Sequence, residues 1–400
     1  MLFSGTILVV TLGKELPVVP MQEKSTATAG QKNAFSPFDL FLLILTIFEV
    51  LLLVVVLTRS FAPSVPPAEQ PDNREEQTQP TPDDDPPPVS KPVFSQGAIS
   101  TIPQANADTV TLTTQIDSKY AILIDAETGM ILAQKGADVA FAPASMTKVM
   151  TLIIACEMLD ESDLEREVMM TDEMLLYVTS GAYYNTGRAG YEPGLKTKMK
   201  DLLYGIGVQS FSDCTVMAVA SLCPASTVAE SERLFVARMN QKAEEMGLRN
   251  TKFDNIVGHE SENNYSTAAD IAAIMSYALQ CPMIKDILSA KTYDYHVWRL
   301  EPDATYERWT YHFYSTLFNA NPKSSSRIKA YENYYGKTFA LSSAVLGGGK
   351  TGTLEENTNV FSLVTYAVKD GRLYIAVTGE TAKNYAVMND AKILYDTYLK

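Results

Sequence analysis

The sequence predicts an α+β fold: an antiparallel sheet flanked by helices, with a mostly helical insert between its strands. Three observations predict it. Residues 119–134, KYAILIDAETGMILAQ, place two apolar runs around a glycine-containing turn, which is a hairpin signal. Residues 360–377 begin two further apolar runs around Asp370-Gly371, a dipeptide favoured in tight hairpins. The text between these two pairs is mostly helical in its spacing. Strands at both ends with helices between them suit a sheet covered by helices rather than an alternating parallel sheet.

The elements can be justified in chain order. Leu40–Leu57 reads LFLLILTIFEVLLLVVVL, eighteen residues with one acid, Glu49. That length suffices to cross the hydrocarbon core of a bilayer. It is long for a signal-peptide core, and Arg59-Ser60 is a poor cleavage site. One transmembrane helix over 38–59 is therefore expected. Lys14, Lys24 and Lys32 precede it, which favours a cytoplasmic tail over 1–37. A charged Glu49 at mid-membrane is costly, so a neutral or paired carboxyl is expected there. Residues 60–106 are rich in Pro, acids and Gln and poor in large apolar side chains. Such a segment buries too little surface to offset its ordering entropy, so an extended linker is expected. The expected arrangement is a single-pass protein of the cell membrane, with residues 107–400 forming one domain outside the cytoplasm.

Within that domain, the first strand pair is followed by APASMTKVMT (142–151) and LIIACEML, a helix apolar nearly all round. Pro143 suits its first turn. Residues 198–222 read as helix, short break, helix. Phe235–Met246 is amphipathic, and Tyr265–Leu279 opens at a Ser-Thr cap with Asp270 at the capping-box position. Residues 285–343 form a long aromatic stretch with Trp298 and Trp309. A packed insertion is its simplest meaning; a cover over a cleft or a partner surface are the alternatives. Lys383–Leu399 is a closing amphipathic helix.

Composition excludes some function classes. A formal net charge of -14 argues against nucleic acid, whose phosphates need clustered Lys and Arg. Cys156, Cys214, Cys223 and Cys281 are too few and too scattered for a disulfide framework, and suit small buried apolar positions. His259, His296 and His312 lack zinc-site spacing. No metal and no cofactor is expected.

Chemistry concentrates at Ser145 and Lys148. A serine hydroxyl is a weak nucleophile until a base takes its proton. Residues three apart on a helix share a face, so Lys148 can reach Ser145. Burial disfavours the charged ammonium and makes the lysine a base. The motif alone is weak, since Ser-x-x-Lys recurs at Ser326–Lys329 in a polar stretch. A second signal is GGGKTGT, Gly347–Thr353, on the approach to the last strand pair. A lysine on a strand edge can bind a carboxylate, and the next glycine can let a ligand lie against the backbone. The phosphate-loop pattern fails here, because no glycine stands in its first position.

These residues resemble those of the penicillin-binding D-alanyl-D-alanine carboxypeptidases, the low-molecular-mass serine DD-peptidases. The resemblance runs from about Ser118 to Lys400. Besides Ser-x-x-Lys and KTGT it rests on DLLYGIGVQSFSD, FVARMNQKAEEMGLRNTKFDN and YSTAADIA. It implies a β-lactamase/DD-peptidase-like fold in which Ser145 attacks the carbonyl between two D-alanines, with Lys148 as base. Ser210 relays a proton. Lys350 and Thr351 hold the substrate carboxylate, Gly352 and Thr353 border the substrate, and the N–H groups of Ser145 and Thr353 form the oxyanion hole. The implied partners are peptidoglycan stem peptides, with β-lactam antibiotics as covalent inhibitors.

One departure stands out. The family's middle motif is Ser-x-Asn, and the matching text is Ser210-Phe211-Ser212. Ser212 replaces an amide that carries both a donor and an acceptor. A DD-endopeptidase of the same family, or a catalytically impaired cell-wall-binding scaffold, therefore stay open beside the carboxypeptidase. A serine β-lactamase is disfavoured, because no Glu-x-x-Leu-Asn segment is evident to place a deacylating water.

Overall fold

Successive side chains of a strand point to opposite faces, and in YAILID this decides the layering. In strand β2 (Tyr120–Asp125), Ile122 and Ile124 join one apolar core, while Ala121 and Leu123 join another. Strands β9 (Val360–Lys369) and β10 (Arg372–Thr381) divide likewise: Val364, Tyr366, Ile375 and Val377 face the first core, and Leu363, Ala367 and Ala376 the second. A sheet apolar on both faces must be covered on both. The computed structural model describes residues 91–95, 97, 102–301, 305–318, 340–354 and 360–399. Within them the main sheet is six-stranded, in the order β1-β3-β2-β10-β9-β8. Here β1 is Val110–Thr111, β3 Ile131–Lys135 and β8 Val345–Leu354. All its pairings are antiparallel except β1 with β3. The expected hairpins are both present, and Asp370 and Gly371 take the positive φ that their tight turn demands.

The closing helix α8 (Asn384–Tyr398) covers one face through Val387, Met388, Ala391, Leu394 and Tyr395. The other face carries the helical region. Its centre is helix α1 (Thr147–Glu157), buried from Thr147 to Cys156. Around it lie α2 (Asp172–Val178), α3 (Met199–Val208), α4 (Ser212–Leu222), α5 (Val228–Glu245), α6 (Ala268–Ala278) and α7 (Pro282–Ser289). Helix α6 starts at the expected cap: Thr267 accepts from the Asp270 N–H at 3.0 Å. The predicted amphipathic helix at Phe235 begins seven residues earlier, at Val228, capped by Thr227. All four cysteines are buried free thiols.

One expectation is met and one needs correction. Part of the aromatic stretch 285–343 forms strands β6 (Thr292–Leu300) and β7 (Tyr306–Tyr314), which extend a second sheet begun by β4 (Glu167–Met169) and β5 (Leu195–Lys198). Tyr295 stacks on Phe313 with ring centroids 3.8 Å apart, and buried Asp201 of α3 accepts from Tyr293 Oη at 2.7 Å. The described part of the insertion is therefore packed, the simplest of the meanings expected. The domain also begins before residue 107, inside the expected linker. The Val93 N–H donates to Leu159 O at 2.9 Å, and buried Phe94 meets the Tyr277 ring at 5.2 Å. One anchoring phenylalanine is invisible in a composition averaged over a proline- and acid-rich stretch. The expected transmembrane helix over 38–59, the tail and most of the linker lie outside the described residues. Among the described residues, no single helix is long and apolar enough to cross a membrane.

Candidate active site

Ser145 does not sit in the α-helix itself. It lies in a 3-10 turn, Ala144–Met146, that runs directly into α1. Ala144 has φ +49°, an uncommon value for a residue with a side chain, and such strain gathers at functional sites. The reach of three residues survives, with Lys148 Nζ 3.2 Å from Ser145 Oγ. The lysine also donates to Val257 O at 2.9 Å. Lys148 is buried, and burial holds its ammonium well below the usual lysine range, aided by the positive charge of Lys350. A neutral amine beside a serine hydroxyl is positioned to take its proton.

Two neighbours hold this turn. The loop after α5 packs so closely that a Cβ on Gly258 (φ +82°) would lie 1.8 Å from Ala144 O. The Asn255 side-chain oxygen fixes that loop by accepting from the N–H groups of Val257, Gly258 and His259 at 3.3, 2.6 and 3.1 Å. On the other side, a Cβ on Gly352 would lie 3.0 Å from Pro143 O. Gly352 thus lets strand β8 approach the Ser145 turn, rather than a ligand as expected from sequence.

A cavity of about 430 Å³ opens over these groups, lined by Ser145, Lys148, Ser210, Thr351 and Thr353. Ser210 is the second expected polar group. Its Oγ is buried without a hydrogen-bond partner and its φ is +64°. An unpaired buried hydroxyl on strained backbone marks a position kept for something other than stability. Lys350 stands behind the wall, fully buried, donating to Thr351 O at 3.0 Å; burial brings its pKa down to about 7. Ser212 is not brought to the cavity. Its hydroxyl donates to Gly187 O at 2.9 Å and lies 2.6 Å from Thr186 Oγ1, at the first turn of α4. A short side chain on the inner face of a helix start meets its own neighbours, not the opening.

The cavity includes residues that sequence reasoning missed. Thr316, just after β7, lies 2.9 Å from Thr351 through their hydroxyls. Asn185, Thr186 and Gly187 come from the loop after α2, and Val257 and Gly258 from the loop after α5. Buried Glu232 joins these two loops, accepting from Tyr183 Oη at 2.6 Å and from the Ile256 N–H at 3.1 Å. A signal was present in the text Asn255-x-x-Gly258, an Asx-type turn closed by glycine. Asn185 gave none.

The model for the peptidase S11 family, D-alanyl-D-alanine carboxypeptidases, matches residues 105–382. The chain belongs to that family. Among its relatives, the D-alanyl-D-alanine carboxypeptidase DacF of Bacillus subtilis is 35% identical over 164 residues, 41% of this chain and 39% of that protein. The D-alanyl-D-alanine carboxypeptidase DacA of Escherichia coli is 31% identical over 181 residues, 43% of each chain. The matched stretches thus span about two fifths of those relatives' own length. The crystal structure of the Streptomyces K15 DD-transpeptidase superposes with a TM-score of 0.58 at 23% identity, covering 71% of this chain and 98% of that one. That likeness concerns the α+β fold.

Proposed function

We propose that the protein is a serine-type D-alanyl-D-alanine carboxypeptidase that trims peptidoglycan stem peptides through an acyl-enzyme on Ser145. The observation that carries this is the 3.2 Å contact between Ser145 Oγ and a lysine whose burial favours the neutral amine. Ser145 Oγ attacks the carbonyl between the two D-alanines, and its proton passes to Lys148 Nζ. Ser210 relays that proton to the departing D-alanine amine as the peptide bond breaks. Water then cleaves the ester and restores the serine. Oxyanion donors are supplied by the Ser145 N–H and by Thr353, on the edge strand β8, where groups facing away from β9 have no strand partner. The Thr351, Thr353 and Thr316 hydroxyls receive the terminal carboxylate. Lys350 adds charge from behind, since a nearby carboxylate favours its protonated form. β-Lactams acylate the same serine.

The same proposal places the domain outside the cytoplasm, tethered by the 38–59 span and the linker that follows. External protease should then cut the linker of intact cells and release the domain; a protected linker would overturn that topology. The activity is tested by incubating the purified protein with a lysyl peptide ending in D-Ala-D-Ala. Release of D-alanine that vanishes in Ser145→Ala is expected. A folded protein that binds the peptide and releases nothing would favour the scaffold instead.

A further inference from the structure

Two of the buried cysteines meet each other. Cys156 lies in the last turn of α1, and Cys281 is the residue from which α7 starts. Both are fully buried in the same apolar core. The Cys156 thiol donates a hydrogen bond to the Cys281 sulfur, so the two sulfur atoms are in contact. Cys281 in turn donates to Val93 O at 3.8 Å. Cys214 and Cys223 meet Asp213 and Arg238 instead.

The pair is asymmetric. The hydrogen bond from Cys156, together with the N–H groups of Ile284 and Met283 at the start of α7, holds the Cys281 thiol below the usual cysteine range despite its burial. The bond to Cys281 and burial push the Cys156 thiol up. Cys281 is therefore the readier thiolate. The strap that lies against it, residues 91–95, is thin: Val93 is half-buried, and Pro92 and Ser95 are exposed. A cavity of about 440 Å³ opens beside the strap, lined by Pro92, Phe94, Ser95, Ile154 and Met158. Lifting such a strap is a local opening and needs no global unfolding.

We propose that Cys156 and Cys281 are a disulfide-forming pair, oxidised in the folded protein by a small-molecule disulfide. The Cys281 thiolate attacks one sulfur of that reagent, breaking its S–S bond and releasing one small thiol. The Cys156 thiolate then attacks the Cys281 sulfur and releases the second. The protein loses two hydrogens, and the reagent is reduced to two thiols. The bridge ties the end of α1 to α7, whose Leu288 O stands so near β8 that a Cβ on Gly348 would lie 2.2 Å from it. The helix that follows the Ser145 turn is thereby linked to the support of the Lys350 strand. This inference stands apart from the reaction proposed at Ser145.

The test uses the purified full-length chain, reduced with dithiothreitol, freed of it, and then exposed to glutathione disulfide without denaturant. Remaining thiols would be alkylated with iodoacetamide under denaturing conditions, and unreduced digests mapped by mass spectrometry. A cross-linked peptide pair containing Cys156 and Cys281 is expected, with Cys214 and Cys223 alkylated. The bridged form should melt about 3–6 °C above the reduced one, because the bridge closes a long loop of the unfolded chain. Cys156→Ala, which removes the second attack, should keep one glutathione on Cys281, and Cys281→Ser should keep none on Cys156; either variant serves if the other does not fold. A native chain that stays fully reduced, a bridge to Cys214 or Cys223, or a bridge that forms only in denaturant would overturn the proposal. So would a bridged form that melts below the reduced one, since the native backbone would then not accept the bond.

Discussion

Gly258→Ala separates packing of the Ser145 turn from the chemistry proposed for it, because residue 258 itself offers no reactive group. The added Cβ would stand 1.8 Å from Ala144 O, where ordinary contact begins at 3.4 Å, so about 1.6 Å must open. The obstacle is backbone, and no rotamer change relieves it. A φ of +82° adds about 1–2 kcal/mol for any residue with a Cβ. Overpacking adds about 1–3 kcal/mol. The sum, about 2–5 kcal/mol, should lower Tm by about 3–8 °C in a domain of this size. Displacement also pulls Val257 O away from Lys148 Nζ, or Ser145 away from its base. A misplacement of about 1 Å can cost roughly 100-fold in rate. Thermal melting and fluorescent-penicillin acylation would read the two effects on one sample. An unchanged Tm together with acylation within twofold of wild type would refute the claim that this contact sets the Ser145 turn.

Three other perturbations have defined outcomes. Ser210→Ala removes a buried hydroxyl without a partner, so Tm should hold or rise slightly while acylation falls by on the order of 100-fold; a large stability loss with normal acylation would make Ser210 structural. Lys350 has a folded-state pKa of about 7, below its unfolded value, so the unfolded chain binds more protons between about pH 7 and pH 10. Its contribution to stability therefore rises with pH across that window and is lost as pH falls toward 7. Unfolding free energies of wild type and Lys350→Met from urea titrations should diverge by on the order of 2–4 kcal/mol between those limits, the wild type gaining at high pH; parallel profiles would contradict its burial. Phe94→Ala should cost about 3–5 kcal/mol in urea unfolding if residues 91–95 belong to the domain, and almost nothing if they belong to the linker.

What was legible in the sequence was what local chemistry encodes. The two hairpins announced themselves through apolar runs and Asp370-Gly371, and α6 through its Thr267 cap. Ser145 and Lys148 were found because reactive residue types stood out in apolar surroundings, Ser210, Thr351 and Thr353 through the family resemblance, and the structure gathers all five around one cavity. The misses have physical causes. Strand β5, LKTK, is short and polar, so no two-residue period could expose it. The roles of Ser212 and Gly352 depend on which way a side chain or a missing Cβ faces after packing, and spacing does not carry that. Asn185 and Thr316 reach the cavity from loops far from the motifs in sequence, and only the tertiary fold brings them there.

The most direct test of Lys148-activated acylation at Ser145 is intact-mass analysis and peptide mapping of the protein after brief exposure to benzylpenicillin, for wild type and Lys148→Met. Ring opening loses no atoms, so the account predicts a gain of the whole penicillin mass, located on the peptide containing Ser145, and absent from the folded Lys148→Met protein. An adduct on another residue, or undiminished acylation of Ser145 without the lysine, would contradict it.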